Sequence, residues 1–149
     1  MCALRLEYND FGFKLYDTDQ LLMAYLANED IPRGEAPKPC FHPIYTPSGT
    51  LVTEYRPEDH LWHTGLYFGW VHVNKTNLWG GAWYLPEVKQ YVPVENSHGM
   101  QRHDAFLHKE EDLEISEQLT WVDQNDQPMA TEVRRFTFQP LQDMSGYLL

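Results

Sequence analysis

The sequence predicts an all-β fold, an antiparallel β-sandwich, and three observations support this class. Turn-forming residues recur roughly every 8–12 residues, which is the spacing of short strands in sandwiches and barrels. Several segments alternate apolar with polar residues at the period of two that a half-buried strand requires. Aromatic residues make up 14% of the 149-residue chain, and that much large apolar surface can supply a core. A chain of this length is expected to form one domain, residues 1–149.

The first third of the chain combines a clear hairpin with a segment whose type is open. A turn at residues 9–12 separates two candidate strands, 4–8 and 13–16. Residues 18–28 contain good helix formers behind a potential N-cap, so local propensity favours a helix there. Residues 30–39 contain three prolines and are expected to form an irregular, extended connection.

The middle of the chain contains a predicted hairpin and a predicted buried strand. Pro47 and Gly49 are the second and fourth residues of a type I turn pattern. This turn is expected to join residues 41–45 to residues 50–55. Residues 64–73 are apolar on both alternating faces, which predicts a strand that is buried on both sides or lines a cavity.

The last third is expected to form a second hairpin. Residues 113–121 alternate apolar and polar side chains, which predicts a strand with one face toward solvent. A polar turn at residues 123–128 then leads into a partner strand at 130–138.

Charge and cysteine content exclude several classes of protein. The formal net charge is −11, and such a field repels phosphate, so neither nucleic acid nor an anionic membrane is an expected partner. No apolar run approaches the ~20 residues of a membrane-spanning helix, and the N-terminal residues lack the pattern of a signal peptide. Cys2 and Cys40 form no disulfide framework and indicate reduced thiols. The sequence therefore predicts a cytoplasmic protein.

Histidines dominate the candidate chemistry: the chain has seven, and four of them lie between residues 42 and 72. His60 and His63 would point to opposite faces of a strand but would converge on a tight turn. With His42 they would provide three metal ligands, yet no standard zinc spacing is present, and neither a metal nor a cofactor is expected. The other interpretations are a metal-free polar site and histidines satisfied by backbone carbonyls beneath a loop.

Two further clusters are candidates. Trp79 precedes the Gly80-Gly81 pair, where the backbone can approach a ligand closely. Tryptophan faces beside polar groups are typical of sugar sites, and the alternative is a bulged core strand with packed tryptophans. His103 lies next to Asp104, and the alternative there is an exposed polar hairpin end.

Five segments, in a fixed order, resemble a bacterial family catalogued as methane oxygenase PmoA-like. They are residues 39–49, 56–66, 70–74, 77–81 and 99–104. The second reads RPEDHLWHTGL and is similar to the family pattern R-P-x-D-H-P-W-H-x-G-L, with Leu61 in place of the usual proline.

This resemblance implies a soluble β-protein that accompanies sugar-type oxidoreductases. Its expected fold is half of the large antiparallel sandwich of aldose epimerases, and it implies a strand rather than a helix at residues 18–28. Family members are about twice as long, so residues 1–149 are expected to be the N-terminal part of a longer domain.

The resulting hypothesis is a carbohydrate-directed protein, an epimerase, lyase or hydrolase acting on a sugar or an oxidised sugar. The alternatives are a non-enzymatic sugar-binding or assembly domain and a metal-dependent oxygenase-type protein. The partner is expected to be a small-molecule sugar, together with a second copy of the chain paired through an exposed sheet edge.

The catalytic residues are predicted from the histidine clusters. His60 and His63 are assigned acid–base catalysis, with His42 and His103 assisting. The predicted substrate-binding residues are Asp59, Trp62, Trp70, His72, Asn77 and Trp79.

Overall fold

The computed structural model describes residues 4–27, 30–108, 113–140 and 147–148. These residues form β-strands and one short 3₁₀ turn, Arg33–Glu35, and contain no α-helix. In chain order the strands are β1 (Leu4–Asn9), β2 (Gly12–Asp17), β3 (Gln20–Leu26), β4 (Cys40–Ile44), β5 (His72–Val73), β6 (Thr76–Asn77), β7 (Trp83–Leu85), β8 (Gln90–Val92), β9 (Met100–His108), β10 (Glu114–Val122), β11 (Pro128–Thr137), β12 (Gln139–Pro140) and β13 (Tyr147–Leu148).

Two antiparallel sheets form the framework. The first has the order β1-β2-β3-β4, and the second has the order β11-β10-β9. Three two-stranded ribbons pair β5 with β6, β7 with β8, and β12 with β13. All of the paired strands run antiparallel, as expected of a sandwich.

The core joins the two sheets. Tyr25 of β3 stacks on Phe13 of β2, with ring centroids 5.0 Å apart, and lies 4.8 Å from Phe136 of β11. The buried cluster takes its members from both sheets: Phe13, Leu15, Leu22, Met23, Tyr25, Phe41, Ile115, Phe136 and Phe138. A shared core between two antiparallel sheets confirms the prediction of an all-β, sandwich-like fold.

Both predicted hairpins with strong local turn signals are present. In the first turn, Phe11 N–H donates to Asn9 Oδ1 at 2.8 Å. In the turn between β10 and β11, Asp123 Oδ1 accepts from the backbone N–H groups of Asn125 and Gln127. These side-chain bonds close the turns locally, which is why the sequence reveals them.

Residues 18–28 do not form the helix that propensity favours. They contain β3, whose central residues Leu22, Met23 and Tyr25 are buried in the shared core. Burial against two neighbouring strands outweighs a few tenths of a kcal/mol per residue of helix propensity. The strand that the family resemblance implies is confirmed.

The predicted strand at residues 64–73 is wrong. Only His72–Val73 is strand, and Leu66 makes an isolated bridge to Phe41. Phe68 and Trp70 are 53% and 60% exposed. Between Leu66 and His72 the segment pairs with no strand of the described residues, and Phe68 and Trp70 on one of its faces remain largely exposed.

The hairpin at residues 41–55 is formed in part. The turn is closed by Thr46 N–H, which donates to the Thr50 carbonyl at 2.9 Å. Val52 N–H then donates to the Ile44 carbonyl at 2.9 Å, and no strand continues to Tyr55. Beyond this turn the chain leaves the sheet and forms the loop that holds His60 and His63.

The described residues contain no helix long and apolar enough to cross a membrane. Cys40 is buried and not disulfide-bonded, and burial raises the pKa of its thiol to about 12. Cys2 lies outside the described residues.

Candidate functional site

The loop of residues 57–65 brings His60 and His63 to the same side. Two successive turns form it: His60 N–H donates to the Pro57 carbonyl, and His63 N–H donates to the His60 carbonyl, each at 2.9 Å. Arg56 N–H closes the loop on the His63 carbonyl at 2.7 Å. As a result the two imidazole centroids lie 5.1 Å apart. The tight turn, rather than the strand, is the correct interpretation of this motif.

An ion pair anchors the start of this loop. Arg56 donates from Nε and from a terminal nitrogen to the two carboxylate oxygens of Glu35, at 2.8 Å each. The Glu35 side chain is almost fully buried. A two-point guanidinium–carboxylate bond fixes orientation as well as distance, so the loop has a defined position on the 3₁₀ turn.

Trp62 anchors the other side of the loop against two glycines. A Cβ on Gly80 would lie 2.4 Å from Trp62 Cβ, and a Cβ on Gly81 would lie 2.8 Å from the indole ring. Both glycines also have positive φ, 106° and 67°. The Gly80-Gly81 pair therefore serves close packing of Trp62 rather than the approach of a ligand.

Asn77 shapes the adjoining turn. Its side chain is buried, and its Oδ1 accepts from the backbone N–H groups of Trp79 and Gly80 at 2.9 Å each. His98 Nε2 bonds the Gly81 carbonyl at 2.7 Å. The amide of Asn77 is thus used within the protein and holds Trp79 in place, which is not the substrate contact that the sequence predicts for it.

A cleft of about 530 Å³ opens beside His63. The rings of His63 and Trp79 are nearly perpendicular, with centroids 5.9 Å apart, and Trp79 lies 5.8 Å from Tyr67. Glu54 lines the same wall. The lining residues are Val52, Thr53, Glu54, Pro57, His63, Gly65, Leu66, Tyr67, Gly69 and Trp79.

A buried cation lies beneath this cleft. Lys38 is fully buried and donates from Nζ to the carbonyls of Ala36 and Trp79 at 2.9 Å each. Its Nζ also lies 4.7 Å from the centre of the Tyr67 ring. Burial lowers the pKa of Lys38 to about 8. Nothing in the sequence pattern singled out this lysine, because its partners are backbone carbonyls, which any residue could supply, and the distant ring of Tyr67.

The environment of His63 favours its neutral form. Burial lowers the pKa of His63 below its usual value, and the nearby positive charges of His60 and Lys38 lower it further. A neutral imidazole at pH 7 can accept a proton from a hydroxyl group. The Nδ1 of His60 lies 3.0 Å from the exposed carboxylate of Asp59, a contact that lowers the pKa of Asp59.

Three other predicted site residues lie outside the cleft lining. His42 bonds Thr53 through Nδ1 at 2.9 Å and stacks on Tyr55, so it lies behind the cleft wall. His72 stacks on Trp83 with centroids 4.1 Å apart. Trp70 lies 6.0 Å from Trp121, on the second sheet. The structure therefore groups His63 with Trp79, and places His60 and Trp62 beside them, but not His72 or Trp70.

His103 belongs to a separate buried network. Its Nδ1 lies 2.8 Å from Oε1 of Glu117, whose side chain is completely buried. The other oxygen of Glu117 accepts from the Tyr25 hydroxyl. Glu117 was not among the predicted site residues, although its position offered a signal: it shares the inward-facing parity of Ile115 and Leu119. A charged residue at a core position of an alternating strand is a candidate for a buried polar partner.

Among the described residues, no three histidine, cysteine, aspartate or glutamate side chains are grouped as a metal site would require. The cleft residues Tyr67 and Glu54, and Lys38 beneath them, do not form such a group with His63.

Fold and site together define a sandwich-like all-β protein with an aromatic-walled cleft beside a histidine, His63. The chain belongs to DUF6807, a family of unknown function whose model matches residues 13–149. The match begins within β2, so it leaves out β1 and includes the rest of the first sheet, the second sheet and the histidine-bearing loops between them. No curated protein and no solved structure matches the chain.

Proposed function

We propose that the cleft beside His63 binds a carbohydrate and that the protein acts on it as an epimerase, lyase or hydrolase. The observation that carries the proposal is the nearly perpendicular contact of the His63 ring with Trp79 in a cleft that Tyr67 and Glu54 also line. Pyranose C–H faces pack on aromatic rings, while their hydroxyl groups need hydrogen-bond partners at the ring edge.

The chemistry assigned to His63 is proton transfer. A neutral imidazole accepts a proton from a sugar hydroxyl group or an acidic C–H, and a carboxyl group in the same cleft gives a second acid–base group. Glu54 is that second group in this proposal. His60, 5.1 Å from His63, acts through His63 and its own contact with Asp59.

The expected ligand is neutral rather than strongly anionic. The chain carries a net charge of −11, and the described cleft lining contains Glu54 but no lysine or arginine. Lys38 lies beneath the wall, with its Nζ bonded to backbone carbonyls. Aldoses and ketoses therefore fit this site better than phosphorylated sugars do.

The test is a panel of neutral aldoses and ketoses, with binding measured by calorimetry and turnover by proton NMR. Replacement of Trp79 with Leu is expected to weaken binding roughly tenfold, because the stacking face is lost. His63→Gln is expected to reduce turnover by about 100-fold or more while binding changes little. Tyr91→Leu removes an exposed aromatic ring far along the chain and serves as the control.

The outcomes separate the candidate functions. Binding without turnover would favour a non-enzymatic sugar-binding domain built on the same cleft. The absence of sugar binding, or binding that Trp79→Leu leaves intact, would contradict the proposal. Elemental analysis of purified protein with about one equivalent of copper, iron or zinc would instead favour the oxygenase-type activity that the PmoA-like resemblance implies.

A further inference from the structure

A second cleft, of about 430 Å³, is built around His103. We propose that it binds a small organic cation, an ammonium group attached to a ring or another apolar body. The lining residues are Asp10, Phe11, Leu26, Ala27, Asp30, Ile31, Tyr55 and His103.

The buried pair behind the cleft defines the state of the His103 ring. Glu117 lies in β10 with its side chain fully buried, and the His103 side chain is only 10% exposed. Glu117 accepts hydrogen bonds from two groups, His103 Nδ1–H and the Tyr25 hydroxyl. Arg134 in turn donates to the Tyr25 oxygen at 3.0 Å. Burial raises the pKa of Glu117, whereas these hydrogen bonds and the Arg134 guanidinium act in the opposite direction. When the carboxylate is ionised it can only accept, so the shared proton then lies on Nδ1 of His103.

The consequence is an acceptor nitrogen at the cleft. In the neutral ring with its proton on Nδ1, Nε2 of His103 carries a lone pair. No hydrogen bond to Nε2 occurs among the described residues. A nine-tenths buried imidazole whose second nitrogen has no partner in the described part of the chain is unusual for a polar group in a protein interior. A ligand with a hydrogen-bond donor would satisfy it.

The remaining lining residues determine the charge of that ligand. Asp10 and Asp30 add two carboxylates, and the described lining contains no lysine or arginine. Hydrogen-bond acceptors of negative charge favour a ligand that brings donors and a positive charge. The chain's net charge of −11 acts in the same direction.

Aromatic rings supply the apolar part of the site. Phe11 is 76% exposed and borders the cleft together with Tyr55. An ammonium group near such rings gains cation–π attraction, and an apolar body gains contact area. Phe11, which lies in the turn that borders the cleft, is therefore placed to contact the apolar part of the ligand.

This site is distinct from the cleft beside His63. Val52, Thr53 and Glu54 line the His63 cleft, whereas Tyr55 lines the His103 cleft. His42 lies between the two, bonded to Thr53 and stacked on Tyr55. The inference is therefore independent of the proposed carbohydrate function.

The experiment titrates the intact protein with three matched probes: benzylamine, benzyl alcohol and benzoate. Binding is followed by calorimetry and by the NMR signals of the His103 ring. Benzylamine is expected to bind and to shift these signals, the alcohol to bind at least about tenfold more weakly, and benzoate not to bind. The signals of His63 should not change, which separates this result from the carbohydrate proposal.

Two variants locate the site. Asp10→Asn combined with Asp30→Asn should weaken benzylamine binding at least about tenfold, while Asp19→Asn, at another exposed turn, should leave it unchanged. His103→Asn keeps an N–H donor for Glu117 but removes Nε2, and should also abolish the binding. Equal binding of amine and alcohol, an unchanged affinity in the double variant, or no amine binding at all would overturn the proposal.

Discussion

Nδ1 of His103 lies 2.8 Å from a carboxylate oxygen of Glu117, and the Glu117 side chain has no exposure to solvent. Burial raises the pKa of Glu117, while the bonds from Tyr25 and His103 and the charge of Arg134 act in the opposite direction. These partners therefore stabilise the ionised form of Glu117, and Glu117 in turn satisfies the hydrogen bonds of Tyr25 and His103. A buried charge with several partners is costly to alter, since each partner is left without its bond.

Glu117→Gln is expected to destabilise the protein by about 3 kcal/mol. The amide keeps the shape of the side chain but presents an NH₂ group to at least one donor, either His103 Nδ1–H or the Tyr25 hydroxyl. Urea unfolding measures the change in the free energy of unfolding. Glu114→Gln is the matched control on the same strand, because its ion pair with Arg135 is largely exposed, and it should change stability by less than about 0.5 kcal/mol. Equal effects of the two substitutions would show that the buried network is not the cause.

Gly81→Ala is expected to destabilise the protein by about 1–3 kcal/mol. The added Cβ would lie 2.8 Å from the Trp62 ring, at a residue with φ of 67°, so both contact and backbone are strained. Gly34→Ala is the control, since a Cβ there has no atom within 4 Å. Thermal and urea unfolding should distinguish the two variants. A Gly81→Ala protein as stable as the Gly34→Ala protein would contradict the packing of Trp62 on this turn.

Stability should rise between pH 7 and pH 9 because of Lys38. Its pKa falls from 10.5 when unfolded to about 8 when folded, so above pH 8 the unfolded chain binds more protons and the free energy of unfolding increases with pH. Cys40 acts oppositely as the pH approaches and passes 9, because the unfolded thiol, with a pKa of 9.0, loses its proton there while the folded thiol, with a pKa of about 12, keeps it. The net gain from pH 7 to pH 9 is about 1 kcal/mol.

Lys38→Met tests this origin. The methionine has no proton to release, so the rise in the urea midpoint between pH 7 and pH 9 should disappear, leaving only the decrease due to Cys40. Persistence of the full rise in the variant would assign the pH dependence to another group. The comparison is made within each protein, so a general loss of stability in Lys38→Met does not obscure it.

Local signals predicted the hairpins, but not the partners that meet across the sandwich. The turns at Asn9 and Asp123 are closed by bonds to residues two to four positions away, which a sequence displays directly. Tyr25 and Glu117 are 92 positions apart. Their contact depends on how β3 and β10 face each other, and no spacing rule encodes that arrangement.

In the histidine-rich region, too, a local turn could be predicted from the sequence, whereas burial, which depends on distant segments, could not. The convergence of His60 and His63 follows from a short turn flanked by Pro57 and Gly65, and the sequence indicates it. The apolar pattern at residues 64–73 was misleading, because such a pattern predicts burial only for a segment that is part of a sheet and has a packed layer on each face. Phe68 and Trp70 each contact the ring of Trp121 on the second sheet, yet both remain largely exposed.

The last prediction is a dimer formed through the edge strand β1. Within the described residues β1 pairs only with β2, so its other edge has backbone N–H and C=O groups available for a second copy. Antiparallel pairing of two copies centred on Leu6 would place Arg5 opposite Glu7 of the other copy, a favourable charge pair on each side. Repulsion from the charge of −11 is screened beyond about 8 Å at physiological salt, whereas edge pairing acts at contact.

Sedimentation velocity at micromolar concentration should therefore detect a dimer. Glu7→Lys should convert this dimer to a monomer, because it places like charges opposite each other. Glu87→Lys makes the same charge change elsewhere and should leave the dimer intact, while Arg5→Glu combined with Glu7→Lys should restore it. A monomeric wild-type protein, or a dimer insensitive to Glu7→Lys, would contradict this pairing.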